Sequence, residues 1–135
     1  MKKLFAVFAL CLVSLSYTFA EEPFKVYLEL LGEQKGLFND KVKVTVDFGQ
    51  EKSFWNNKRK QTLVDENGKK IAFNAMIDAL NYFGEAGWQF EQAYVISHDN
   101  DYVYHWLISK EVSSPEEMTD GFNTKKMFKE SQKDK

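Results

Sequence analysis

The stretch from Phe73 to Lys110, FNAMIDALNYFGEAGWQFEQAYVISHDNDYVYHWLISK, constrains the fold more than any other part of the chain. Apolar residues at Phe73, Met76, Ile77, Leu80 and Phe83 recur at the spacing of one helical face, with Asp78, Asn81 and Glu85 on the far side. Asn74 stands where its side-chain oxygen would cap that helix. Gly87 follows as the residue able to take the left-handed conformation that closes a helix, which sets Trp88 to fold back onto the last turn. Two apolar segments then flank the polar turn His98-Asp99-Asn100-Asp101, the pattern of an antiparallel hairpin. Centring the turn on Asp99-Asn100 places Ile96 opposite Val103 and Tyr94 opposite His105. One face carries Tyr94, Ile96, Val103, His105 and Leu107; the other carries Val95, Tyr102, Tyr104, Trp106 and Ile108. Both faces are apolar or aromatic, so periodicity leaves open which one meets the helix, and a one-residue slip exchanges them.

The residues before this stretch read as sheet. Phe24 to Leu31 alternates, with Phe24, Val26, Leu28 and Leu30 on one face. Gly32 to Asp40 reads as a loop in which Leu37 and Phe38 tuck back toward the core. Lys41 to Gly49 is a stricter alternation, Val42, Val44, Val46 and Phe48 against Lys41, Lys43, Thr45 and Asp47, which suits a sheet with one wet face. The two strands are expected to pair as an antiparallel hairpin. Asn67-Gly68 supplies positive φ cheaply, predicting a tight turn with Leu63-Val64 and Ile71-Ala72 as its arms. Beyond the hairpin, Ser114-Pro115-Glu116-Glu117 has the form of a capping box with Pro at the first helical position. Gly121 stops that helix early, and the charged end, anchored only by Met127 and Phe128, predicts a short helix and a frayed terminus.

The first twenty residues have the layout of a secretory signal peptide: Met1-Lys2-Lys3, an apolar run from Leu4 to Leu15, and small residues at Thr18 and Ala20. The apolar run is short for a membrane span, which needs about 20 residues. Cleavage after Ala20 leaves 115 of the 135 residues and moves the formal charge from −2 to −4 by removing Lys2 and Lys3. It also removes Cys11, the only cysteine, so the mature fold has no disulfide and rests on its apolar core. A mildly acidic chain gives no reason to expect nucleic acid. The expected organisation is a signal peptide at 1–20, one α+β domain at 21–112, and a helical or disordered tail at 113–135. No membrane span is expected once the signal is removed.

The run ALNYFGEAGWQFEQAYVI resembles a family of small secreted proteins of Bacteroides-type bacteria whose signature is a helix, a Gly-Trp and a β-hairpin. The similarity extends to Val46–Gly49, Leu63–Ile71, Phe73–Trp88 and Tyr104–Lys110, most of residues 24–110, and leaves out the C-terminal end. That family is defined by its fold signature and not by an activity. The resemblance implies a small α+β domain and an envelope or secreted setting, with no catalytic residues to carry over.

Candidate chemistry is sparse. His98, Asp99, Asp101 and His105 offer metal-ligating groups, but His105 lies four residues up the strand, about 13 Å from the tip at roughly 3.3 Å per residue. Without a cysteine in the mature chain or a G-x-S-x-G, nucleophilic catalysis has no anchor. Asp65-Glu66-Asn67-Gly68 resembles a fragment of a calcium loop without the remaining ligands. No metal and no cofactor is implied. Two segments fit binding. Phe54, Trp55, Asn56, Lys58 and Arg59 combine stacking rings, amides and cations; the alternative is a strand end whose rings pack on the sheet. Tyr102, Tyr104 and Trp106 form an aromatic stripe, exposed if the helix takes the opposite face and core if it does not. The expected fold is α+β: a mostly antiparallel sheet of four or five strands, one principal helix on one face, and a short C-terminal helix or tail. The expected function is that of an exported, periplasmic or extracellular binding module for an envelope protein or glycan. A small envelope hydrolase with unidentified acids is the alternative.

Overall fold

The computed structural model describes residues 22–33, 41–49, 61–98 and 101–133. Residues 1–20, expected to be a signal peptide, Leu37 and Phe38, the segment Phe54–Lys60 and the tip of the hairpin at Asp99-Asn100 lie outside the described residues. Among the described residues, six strands, two α-helices and a 3-10 turn make an α+β fold. Strands β1 (Phe24–Glu33), β2 (Lys43–Asp47), β4 (Gln89–His98) and β5 (Asp101–Val112) form an antiparallel sheet in the order β2-β1-β5-β4. Strand β3 (Leu63–Val64) pairs instead with β6 (Asn123–Thr124). Helix α1 (Met76–Glu85) crosses one face of the large sheet, and α2 (Lys125–Ser131) follows β6 directly.

The expected β1–β2 hairpin is present, with Leu30 opposite Val46. What lay beyond sequence reading is the central pairing of β1 with β5, which runs from Phe24↔Val112 to Glu33↔Val103. Each strand alternates, so the pairing collects Leu28, Leu30, Val44, Val46 and Ile108 on one face, all essentially fully buried. Against them pack Phe73, Met76, Ala79 and Phe83 from the helix and its approach, together with Trp88 and Phe122.

Helix α1 departs from the expected pattern at its start. Phe73 pairs with Val42 as an isolated bridge, which holds residue 73 in extended geometry and delays the helix to Met76. Asn74 therefore does not cap it. The bond runs the other way, with the Asn74 N–H donating to Asp78 Oδ2 at 3.0 Å. The buried stripe is Phe73, Met76, Ala79 and Phe83, while Ile77 is 55% exposed. At the other end the expectation holds. Gly87 has φ 88°, the Gly87 N–H donates to the Gly84 carbonyl and the Trp88 N–H to the Phe83 carbonyl. These two bonds define a Schellman closure, and its hydrophobic contact is Trp88 edge-on to Phe83, centroids 6.4 Å apart.

The Asn67-Gly68 turn forms between Val64 and Lys70. Asp65 Oδ1 accepts from the Asn67 and Lys69 backbone N–H groups, so the turn carries its own side-chain latch. At Ser114 the capping box is incomplete. The Ser114 hydroxyl makes no cap bond; Glu117 instead accepts from the Ser113 N–H, and only a 3-10 turn follows at Pro115–Thr119. The C-terminal end is more ordered than its composition suggests. Phe122 is buried, β6 pairs with β3, and the Thr124 hydroxyl caps α2 by accepting from the Met127 N–H.

Candidate functional site

The hairpin register matches the expected one: Tyr94 faces His105 and Ile96 faces Val103. A β-bulge between Phe90 and Gln92 makes Glu91 the extra residue, which aligns Phe90 with Ala93 and Val95 on the helix side. The helix meets the face that carries Ile108, Trp106 and Tyr104. Its reach is limited. Ten residues of α-helix span about 15 Å at roughly 1.5 Å per residue, whereas twelve residues of strand span about 40 Å. Cover is therefore complete at Ile108, partial at Trp106 and Tyr104, and lost at Tyr102, which is 54% exposed.

The uncovered part of that face forms a groove. Tyr104 and Trp106 from β5, Val42 beside β2, and Asn74, Ala75 and Met76 at the start of α1 line a concavity of about 300 Å³. Its floor continues onto β4, where Phe90 packs edge-on against Trp106 at 5.5 Å and Val95 lies opposite Tyr104. Phe90 and Val95 are 48% and 51% exposed. The aromatic stripe expected from sequence is thus neither wholly core nor wholly open: Tyr104 and Trp106 pack against the core and also line the groove, whereas Tyr102 is exposed. Its neighbours Val42, Met76 and Phe90 carried no sequence signal of a site, because each belongs to an ordinary apolar alternation. Phe54, Trp55, Asn56, Lys58 and Arg59 lie outside the described residues.

The opposite face of the sheet holds two polar clusters. Tyr94 OH donates to Glu29 Oε1 at 2.6 Å, and His105 Nδ1 lies 3.1 Å from the same oxygen. The Tyr94 and His105 rings stack at 4.7 Å with an 11° interplanar angle. The bond to Glu29 holds the Tyr94 hydroxyl pKa above its ordinary value by favouring the protonated donor. His105 is thereby engaged on the sheet, away from the hairpin tip where the metal constellation was considered. Among the described residues no group of three or more His, Cys, Asp or Glu side chains is placed to hold a metal ion.

The second cluster crosses a strand. Glu91, swung out by the bulge, accepts from Ser109 Oγ at 2.5 Å and from Lys25 Nζ at 2.9 Å. It thereby links β4 to β1 over the intervening β5. The Ser109 hydrogen bond, with Lys25 second, pulls the Glu91 carboxyl below its ordinary pKa, and the bond to Glu91 raises the Lys25 ammonium. Both lie in the open, where an ion pair contributes little by itself.

Among the described residues no helix is long and apolar enough to cross a membrane. No protein-family model matches the chain, and no curated protein or solved structure matches it.

Proposed function

We propose that the protein is an exported, non-enzymatic binding module that receives apolar side chains of an envelope protein in the groove beside Tyr104 and Trp106. The observation that carries this reading is the groove itself. It is an apolar concavity of about 300 Å³ whose aromatic floor runs on to exposed Phe90, Val95 and Tyr102. Contiguous exposed apolar surface of this kind is where soluble domains meet partners. The leader-like first twenty residues support export, and the mature chain's acidic balance fits a partner other than nucleic acid. The basic aromatic segment Phe54–Lys60 is proposed as a second contact. A glycan is the alternative ligand, its sugar ring stacked on the open face of Trp106.

The test is capture from solubilised envelope fractions by the immobilised protein, with one sample protease-treated and another periodate-oxidised. Loss of capture after protease identifies a protein ligand; loss after periodate identifies a glycan. Trp106→Ala and Tyr102→Ala are expected to weaken capture at least tenfold, and Trp55→Ala to weaken it less. Unchanged capture in Trp106→Ala and Trp55→Ala together removes both proposed surfaces.

A further inference from the structure

The two edges of the large sheet differ. The β2 edge is closed in part by the chain itself, through bridges from Val42 to Phe73 and from Thr45 to Thr62. At the other edge, β4 pairs with β5 on one side, and among the described residues no strand pairs with its other side. Such an edge is ordinarily guarded by short length, proline, or a charge on the strand. Strand β4 runs for ten residues without proline, and the segment Gln92–Ser97, QAYVIS, carries no charge. The one carboxylate within β4 itself, Glu91, is turned across the sheet onto Ser109 and Lys25. Tyr94 and Ile96 on one face, 43% and 50% exposed, and Val95 on the other, 51% exposed, offer apolar surface above and below the strand.

We infer that this edge pairs with the same edge of a second copy, joining two four-stranded sheets into one continuous sheet of eight. The occupant follows from the strand's self-complementarity. A two-fold axis perpendicular to the sheet makes the two β4 strands antiparallel and keeps like faces together. Centred on Val95, it sets Val95 against its symmetry mate, Tyr94 against Ile96, and Ala93 against Ser97. Every apolar residue of the segment then gains a cross-strand neighbour on its own face. No like charges meet, because the segment has none. The register shift at Phe90/Gln92 interrupts the strand and sets the limit of regular pairing on that side. Of the apolar residues that the pairing uses, Tyr94 and Ile96 lie on the face away from the Trp106 groove, and Val95 is shared with the floor of that groove.

Sedimentation velocity of the protein in the form the cell accumulates tests it, over about 1 to 100 μM, a range that brackets small interfaces. The expected result is a concentration-dependent rise to twice the chain mass. Backbone amides of residues 92–97 are expected to exchange more slowly at the upper end of that range. Val95→Lys and Ile96→Lys, both at exposed positions, should each shift the dimerisation midpoint upward at least tenfold with an unchanged far-UV circular dichroism spectrum. Trp106→Ala should leave the midpoint where it is. A single-chain mass throughout overturns the inference, and so does a dimer that persists unchanged in both lysine variants. A wild-type protein that stays monomeric while its β4 amides are protected only by a foreign polypeptide also overturns it.

Discussion

At Gly68 one atom is the difference between a turn that closes and one that does not. The residue sits at φ 75°, and a Cβ there would lie 2.4 Å from Phe128 Cε1. Gly68→Ala is expected to destabilise the protein by about 1–2 kcal/mol from the left-handed backbone alone, plus the displacement of the Phe128 ring. Urea denaturation would show a lower midpoint, and pairing the change with Phe128→Ala should recover the ring's share. The Asn-Gly turn was legible in the sequence because local chemistry alone selects it; the ring above it was not, since Phe128 lies sixty residues away. Lys25 and Glu91 make a second residue-scale case. The Glu91 pKa is lowered, so its contribution is present above the ordinary carboxylate range and is lost as pH falls through the depressed value. The Lys25 pKa is raised, so its contribution is present below the ordinary lysine range and is lost as pH rises through the raised value. Thermal melts at low salt should therefore weaken at both extremes. Glu91→Gln should flatten the acid limb, and an acid limb of unchanged slope would show that this cluster does not set it.

Among the elements, the helix shows how far a period carries. Its closure at Gly87 and Trp88 was readable, and so was most of its stripe, Ile77 excepted, because both depend on residues within a few positions of one another. Its start was not, because the Val42–Phe73 bridge competes for the residues that would have formed the first turn. The short C-terminal helix was within the expectation, but the docking of that end was not legible, for a similar reason. Composition predicts fraying, yet Phe122 is 5% exposed and contacts the Phe83 ring at 5.3 Å. Phe122→Ala is expected to cost about 3–5 kcal/mol, a large share of the roughly 5–15 kcal/mol by which a domain is stable. A calorimetric melt should show a drop well beyond that of Phe128→Ala, whose ring is only half-buried. A smaller loss for Phe122 would mean that the end of the chain is not part of the cooperative core.

On the scale of the whole molecule, the groove is a consequence of unequal lengths and the open edge a consequence of strand order. A ten-residue helix lies on a hairpin whose longer strand has twelve residues, and the sheet continues past it. The uncovered helix-side face is the groove proposed to receive a partner, and the uncovered outer edge is the strand inferred to pair with its own copy. Trp106→Ala and Ile96→Lys, whose side chain is on the face away from the groove, should separate the two: the first removes capture with the dimer intact, the second removes the dimer with the groove intact.

By itself the sequence determined the α+β class, the strand alternation, the hairpin register and the turns at Asn67-Gly68 and Gly87, all set by periodicity and by dihedral preferences acting over a few residues. Which face of the hairpin the helix covers was decided only in three dimensions. That choice depends on β5 joining β1 at the centre of the sheet, a pairing of residues 88 positions apart at Phe24 and Val112. The same pairing left β4 at the edge. A strand's sequence records which way its side chains alternate; only its neighbours record whether its backbone is already bonded on both sides.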